Sequence, residues 1–176
     1  DWSSDVCSSD LLHSESQTRT SREFDMQKER PTIVTDDASD AVKQWFSMLS
    51  RYCASEDYNS TRAIFARDVA SFGTKADIVV GLDLLQTNQW ESVWPNIQDF
   101  QIDVDNIVSG GSENTAWGIA TWTSTGFDED GSSFHRPGRA TVVLERRDGV
   151  WVSLHTHFSL NPGTPPRTYG PAGRDR

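Results

Sequence analysis

The sequence predicts an α+β domain whose helices come first and whose antiparallel strands follow. Apolar residues recur at steps of three and four between 42 and 53, which is the spacing of an amphipathic helix. From Phe100 onward, apolar and polar residues alternate through long runs rich in Thr and Trp, which is typical of half-buried strands. A run of helices followed by a run of strands indicates the α+β class.

The composition limits the classes of protein to which the chain can belong. Its 176 residues suffice for one domain, and its formal net charge of −10 argues against a general nucleic-acid-binding protein. No apolar run approaches the ~20 residues that a membrane-spanning helix needs. Two cysteines cannot form a disulfide framework or a Cys-rich zinc site, so we expect a reduced, cytoplasmic protein without a metal or another cofactor.

The first 25 residues are interpreted as a leader outside the domain. Residues 1–11 lack the basic start and apolar centre of a targeting peptide, and they resemble a translated sequencing-library adapter. This resemblance indicates a metagenomic reading frame with Met26 as its true start, followed by a polar lead-in over 26–38. A genuine disordered leader over 1–25 is the alternative.

Three helices are expected before the main strands. The first carries the apolar stripe that ends at Cys53, and an Asp or Ser of the TDDASD segment caps its start. A short second helix begins near Asn59 and turns Ile64 and Phe65 inward, and a brief strand follows at VASFGT. The third helix, GLDLLQTNQWESVW, stops at Pro95, because proline cannot continue a helix.

The second half of the chain reads as strands joined by polar turns. The strands are FQIDVDNIV, TAWGIATWTSTGF and the two arms of a hairpin in RATVVLERRDGVWVSLHTHFSL, with DEDGSSFHRPG as a loop before the hairpin. The Pro- and Gly-rich segment over 163–176 is expected to be a disordered tail.

The hairpin can be assigned a register from its turn. A three-residue loop, Arg147-Asp148-Gly149, would pair Arg146 with Val150. One face would then be polar and carry Arg139, Thr141, Val143, Glu145, Trp151, Ser153, His155, His157 and Ser159. The other would be apolar and carry Ala140, Val142, Leu144, Val152, Leu154, Thr156 and Phe158. The apolar face is expected to meet the helices.

Several segments in a fixed order resemble a known superfamily. FARDVASFGT, GLDLLQTNQWESVW, GRATVVLERRDGVW and HTHFSLNP are similar to segments of the SnoaL-like branch of the nuclear transport factor 2-like, or ketosteroid isomerase-like, superfamily. The resemblance implies a SnoaL-like domain over 39–162 with a cystatin-like fold, in which three helices and a long curved antiparallel sheet enclose a cone-shaped pocket. It also implies a homodimer formed through the outer sheet face.

The comparison with ketosteroid isomerases implies that their catalytic set is missing. The positions of the catalytic base and tyrosine fall at Gly73 and Leu49, and the protonated aspartate falls near Ala140 or Val142. The last segments also resemble the association domain of calcium/calmodulin-dependent kinase II. Two of that domain's pocket arginines fall at Val142 and Phe158, so an anionic ligand held by that set is not expected.

Three residues are weak candidates for catalysis. His155 and His157 point to one side of a strand and could act as an acid–base pair or bind a metal, but no third ligand is evident. The alternative places them in polar contacts at a dimer face with Arg139, Thr141 and Trp151. Asp68 could be a pocket base, or it could cap a turn.

Two functions stay open on the sequence. In the first, a small apolar or weakly polar molecule binds in the cone, with or without isomerase, cyclase or lyase chemistry. In the second, the chain is a non-catalytic dimerisation or association module. The expected pocket residues are Tyr52, Trp90, Trp94, Trp122, Val142, Leu154, Thr156 and Phe158.

Overall fold

A computed structural model describes residues 31–172, so the predicted leader over 1–25 lies outside the described residues. Helix α1 spans Ala38–Ala54 and α2 spans Tyr58–Ala63. The third helical segment, α3, covers 82–96 and changes its winding along its length. It is α-helical over Leu82–Leu85, π-helical over Gln86–Trp90, α-helical over Glu91–Val93 and 3₁₀-helical over Trp94–Asn96.

Seven strands form one sheet on which the helices pack. They are β1 (Phe65–Phe72), β2 (Ile78–Val80), β3 (Gln98–Ile102), β4 (Val108–Gly111), β5 (Thr115–Phe127), β6 (Ser133–Arg147) and β7 (Val150–Leu160). The strand order is β2-β1-β7-β6-β5-β3, and β4 pairs with the same edge of β5 as β3. All pairs are antiparallel except β1 with β7, which is parallel. The predicted α+β class is confirmed.

Helix α1 forms for the reasons that its sequence predicts. The carboxylate of Asp37 accepts a hydrogen bond from the backbone N–H of Asp40 at 2.8 Å, so Asp37 is the N-cap. The apolar stripe faces the sheet, and its largest member, Trp45, is fully buried. The indole N–H of Trp45 donates to the carbonyl of Ile64 at 2.9 Å, which ties α1 to the end of α2.

The hairpin of β6 and β7 corrects the predicted register. Arg147 pairs with Val150, so the turn has two residues, Asp148 and Gly149, with φ angles of 52° and 81°. Two positive φ angles are typical of a type I′ turn, whose twist matches that of the strands. A bulge further along adds Leu154 as the extra residue between Ser153 and His155.

These two differences explain which residues changed face. Before the bulge the register differs by one residue from the prediction, so Trp151 and Ser153 lie on the buried face rather than on the polar one. Trp151 is 0% exposed, and its indole N–H donates to the carbonyl of Thr35 at 2.9 Å. Trp151 therefore cannot contribute to an exposed dimer face. Beyond the bulge the difference is two residues, so His155 and His157 keep the predicted face.

The segment after β7 differs from the predicted disordered tail as far as it is described. The Thr168 hydroxyl donates to the carbonyl of Asn96 at 2.6 Å and accepts from the backbone N–H of Phe127 at 2.9 Å. The backbone N–H of Tyr169 donates to the carbonyl of Phe127 at 2.9 Å. These bonds order the segment because they satisfy backbone groups at the ends of α3 and β5.

Candidate functional site

A cavity of about 70 Å³ lies between the helices and the inner face of the sheet. Residues of α1, α3 and five strands or their loops line it: Leu49, Cys53, Phe65, Ser71, Gly73, Thr74, Gln89, Trp90, Val93, Trp94, Ile97, Phe100, Trp122, Arg136, Thr156 and Phe158. A cavity of this size suits a small organic molecule, since pockets for drug-sized ligands measure about 300–1,000 Å³.

Aromatic rings form most of the cavity wall. Trp90 and Trp94 stack with their ring centroids 5.3 Å apart, and Phe65 meets Trp90 edge-on at 5.0 Å. On the sheet side, the ring of Trp122 lies 6.4 Å from that of Phe158. The rings brace one another, so they present fixed apolar surfaces suited to a flat or compact apolar group.

Arg136 is the one charged side chain among the described residues that line the cavity. It lies on β6 and is 2% exposed. Its guanidinium donates to the Thr74 hydroxyl at 2.9 Å and lies over the Trp122 ring, 5.4 Å from the centroid. Burial lowers the pKa of Arg136 to about 10, because desolvation disfavours the charged form. The group is still a cation at neutral pH.

Two further polar side chains border the cavity close to Arg136. Gln89 lies against Gly73, where a Cβ atom would overlap its carboxamide. Gln89 Nε2, Trp122 Nε1 and Arg136 Nε are buried and make no hydrogen bond to any described residue. A buried donor without an acceptor costs about 1–3 kcal/mol, so three at one cavity indicate a polar function there.

The remaining polar groups of the wall are paired or neutral. The hydroxyls of Ser71 and Thr156 lie 2.6 Å apart and hydrogen-bond across the β1–β7 ladder. Burial raises the pKa of the Cys53 thiol, partly offset by the nearby Arg136 charge. Cys53 is therefore a neutral thiol rather than a nucleophilic thiolate.

A second, more open cavity of about 240 Å³ adjoins the first and shares Thr74, Val93 and Arg136 with it. The ordered segment after β7 forms one side of this opening through Arg167, Thr168 and Tyr169. Lys75 and Arg167 bring two exposed cations to it. No Asp or Glu among the described residues lines either cavity.

The predicted pocket residues fall into two groups. Trp90, Trp94, Trp122, Thr156 and Phe158 line the cavity. The others lie elsewhere: Tyr52 accepts a hydrogen bond from Arg51 at 3.1 Å, Val142 is part of the core, and Leu154 is the bulge residue of β7.

The two histidines lie on the outer face of the sheet, away from the cavity. His155 shares a hydrogen bond of 2.9 Å with the carbonyl of Ala70 through Nδ1, and His157 is exposed beside the ring of Phe72. Arg139 and Thr141 share this face. Within residues 31–172, no three His, Cys, Asp or Glu side chains form a group that could hold a metal ion.

Asp68 is on the surface and does not reach the cavity. Its carboxylate receives two hydrogen bonds from the Arg147 guanidinium, at 2.6 and 3.1 Å, and its side chain is 63% exposed. The hydrogen bond from Arg147 lowers the pKa of Asp68. A base in a pocket would need its pKa raised, so Asp68 is not suited to that role.

The sequence prediction missed Arg136, Gln89 and Thr74. It placed Arg136 in a loop that ends at Gly138, whereas β6 already begins at Ser133. The signal was available, because extending the inward alternation of Val142 and Ala140 backwards reaches Arg136. For Gln89 the π-helical turn of α3 shifts the facing of its residues, and no pattern in the sequence marks such a turn.

The comparison with ketosteroid isomerases places two of its three positions in the cavity wall. Gly73 and Leu49 line the cavity, whereas Ala140 and Val142 lie in the core next to it. At Gly73, the carboxamide of Gln89 occupies the space into which a side chain at that position would point. The cavity therefore has the expected location with different polar groups.

Solved structures with the same fold come from several bacteria and from an animal. A nuclear transport factor 2-like superfamily protein from Salmonella enterica has a TM-score of 0.61 at 15% identity, over 79% of this chain and 97% of that one. A ketosteroid isomerase-like protein from Erwinia carotovora has a TM-score of 0.61 at 15% identity, over 74% and 100%. The association domain of C. elegans CaMKII has a TM-score of 0.53 at 16% identity, over 68% and 92%.

These likenesses confirm the predicted fold and carry no activity across. A comparison with curated protein sequences gave no match. No helix in the described part of the chain has the length and apolar character to cross a bilayer. The family model described as SnoaL-like domain matches residues 38–162, which is most of the chain. The chain therefore belongs to the SnoaL-like domain family.

Proposed function

We propose that this protein binds a small organic molecule in the cavity between α1, α3 and the sheet. The carrying observation is the joint presence of braced tryptophans and unpaired buried donors around one space. A wall that served only as core would fill this space with side chains, because protein interiors pack to the density of organic crystals. An apolar body with a small polar group fits such a wall.

Binding is supported better than acid–base catalysis. The titratable residues among those that line the cavity are Cys53 and Arg136. Burial keeps the first neutral and the second is a cation at neutral pH, so neither supplies a base. The three catalytic candidates from the sequence lie on the outer face or the surface. Isomerase, cyclase or lyase chemistry would require a base from another source.

A direct test uses benzyl alcohol as a neutral aromatic probe in isothermal titration calorimetry. We expect saturable binding to the full chain. Val93→Trp should abolish it, because Val93 lines the cavity and a larger side chain there fills the space. Val80→Trp is the matched control, since Val80 is 59% exposed on β2. Equal binding by both variants would contradict the proposal.

A second function, self-association, is favoured by the outer sheet face. Trp117 and Ile119 of β5 are 42% and 46% exposed and lie opposite Val143 and Thr141 of β6. Such apolar residues among polar ones are typical of an interface. We propose that this face, with Arg139, Thr141, His155 and His157, forms a homodimer.

Sedimentation velocity tests the dimer. The wild-type chain should sediment as a dimer and Ile119→Asp as a monomer, because a carboxylate cannot be buried unpaired between two sheets. Val34→Asp, at a 66% exposed position in the segment before α1, should remain dimeric. A monomeric wild-type chain would rule out this interface.

A further inference from the structure

Arg136 is a buried cation for which the described part of the protein supplies no counter-ion. The arginine ion pairs in residues 31–172 belong to Arg62, Arg146 and Arg147, and each of these contacts an Asp or Glu. Arg136 instead contacts a hydroxyl and an aromatic ring. Burying an unpaired charge is costly, so a fold that keeps one gains something from it elsewhere.

The unpaired atoms beside Arg136 all offer hydrogens. Three of the four buried unpaired polar side-chain atoms in the described residues belong to the cavity wall, namely Gln89 Nε2, Trp122 Nε1 and Arg136 Nε. Each of them is a donor, so the group that would satisfy them is rich in acceptors. A carboxylate has two oxygens with about four acceptor sites and matches a guanidinium in shape.

The charges around the opening favour an anion as well. The whole chain has 26 acidic residues against 16 basic ones, yet no described acidic residue lines either cavity. Lys75 and Arg167 stand at the opening instead. Clefts lined by one sign of charge attract ligands of the opposite sign.

We propose that the ligand is a small monocarboxylic acid with a compact apolar or aromatic body. Its carboxylate binds Arg136, Gln89 and Trp122, and its body lies against Trp90, Trp94 and Phe158. This inference rests on the proposed binding function and specifies the ligand class. It replaces the expectation of an apolar or weakly polar ligand, and the anion is held by an arginine at a position that the family comparison did not indicate.

The test compares benzoate with benzamide and benzyl alcohol, which share its ring and lack its charge. Calorimetry is performed on the full chain at pH 7.5 and constant ionic strength. We expect benzoate to bind about 10- to 100-fold more tightly than benzamide, as charge-assisted hydrogen bonds require. Arg136→Met should remove this preference, whereas Arg67→Met, at an exposed position on β1, should keep it.

Further arms separate the possible results. Arg136→Lys keeps the charge without the planar fork, so an intermediate preference is expected. If Arg136→Met fails to fold, Gln89→Leu should still weaken benzoate binding more than benzyl alcohol binding. Sodium phosphate and sodium chloride are titrated separately, and tight binding of either without a preference of benzoate over benzamide would assign the site to inorganic anions and overturn the proposal.

The failure of this inference differs from the failure of the proposed function. Equal affinities for benzoate, benzamide and benzyl alcohol would reject the carboxylate and leave the binding function in place. If none of the three binds and Val93→Trp behaves as wild type, both are rejected.

Discussion

The guanidinium of Arg136 lies over the indole ring of Trp122, with Cζ 5.4 Å from the ring centroid, and both side chains are 2% exposed. This relationship fixes the position of the buried cation. The ring face attracts the charge, and Thr74 accepts one of its hydrogens. The remaining donors of Arg136 and Trp122 stay directed at the cavity region, so the pair is suited to receive an acceptor.

Substitution of Arg136 should make the free protein more stable. Arg136→Met replaces a desolvated charge with an unbranched apolar side chain, so we expect the free energy of unfolding to rise by about 1–3 kcal/mol. Urea denaturation of the ligand-free protein measures this, with Arg67→Met expected to change little. A loss of stability in Arg136→Met would show that its contacts with Thr74 and Trp122 outweigh the desolvation cost.

Benzoate affinity should depend on alkaline pH. Burial lowers the folded-state pKa of Arg136 to about 10, below its ordinary value of 12.5. Below about pH 10 the free protein holds this proton and binding is at full strength; above it, affinity should fall by up to about tenfold per pH unit. Between these two pKa values the unfolded chain holds more protons, so the Arg136 contribution to stability rises with pH.

Calorimetry from pH 7 to 11 checks this dependence. The other charged or titratable groups near the site are Cys53 in the wall and Lys75, Arg167 and Tyr169 at the opening. Lys75→Met should therefore be measured in parallel, and the decline near pH 10 should persist in it. Arg136→Met should show no such decline in its residual binding. A pH-independent affinity in the wild type would contradict the role of Arg136.

Gly138 should be intolerant of a side chain because Trp122 lies against it. A Cβ atom at residue 138 would overlap the indole ring of Trp122 and the carbonyl oxygen of Ser159. We expect Gly138→Ala to cost about 1–3 kcal/mol of stability and to weaken benzoate binding by displacing the ring. Gly110→Ala is the control, since its Cβ would lie 3.0 Å from the Trp117 ring on the outer face. Benzoate affinity that is unchanged in Gly138→Ala would separate the Trp122 position from binding.

The β6–β7 turn offers a test of the corrected register. Gly149 has a φ of 81° and open space where a Cβ atom would lie, so Gly149→Ala should cost about 1–2 kcal/mol from backbone conformation alone. Asp148 has a φ of 52°, and Asp148→Gly should be neutral or slightly stabilising because glycine accepts this conformation. Thermal unfolding of both variants measures the difference. A destabilised Asp148→Gly would contradict a two-residue turn.

Several features followed from local patterns that the fold preserved. The apolar stripe of α1 faces the core, with Asp37 as its cap, because a helix must bury one stripe wherever it packs. The inward set of Ala140, Val142 and Leu144 is buried as predicted, since strand alternation depends on the backbone alone. Five of the eight predicted pocket residues line the cavity for a related reason, as large aromatics on inward faces border the space between layers.

Other features required the tertiary structure. A turn containing Asp148-Gly149 satisfies both a two-residue and a three-residue loop, and only packing of Trp151 against the segment around Ile33 distinguishes them. The segment around Pro137 has weak strand propensity, yet β5 and β7 pair with it on both sides and turn it into strand. That pairing moves Arg136 from a predicted loop to the inner face of the sheet.

The sequence by itself therefore determined the α+β class, the first helix and the aromatic character of the wall, because these depend on short-range periodicity and side-chain type. The tertiary structure decided the charge of the site. Whether an arginine is buried and unpaired depends on Thr74, Gln89 and Trp122, which are distant in sequence and meet Arg136 only when the helices close over the sheet. No local pattern records that meeting, and the proposed carboxylate specificity depends on it.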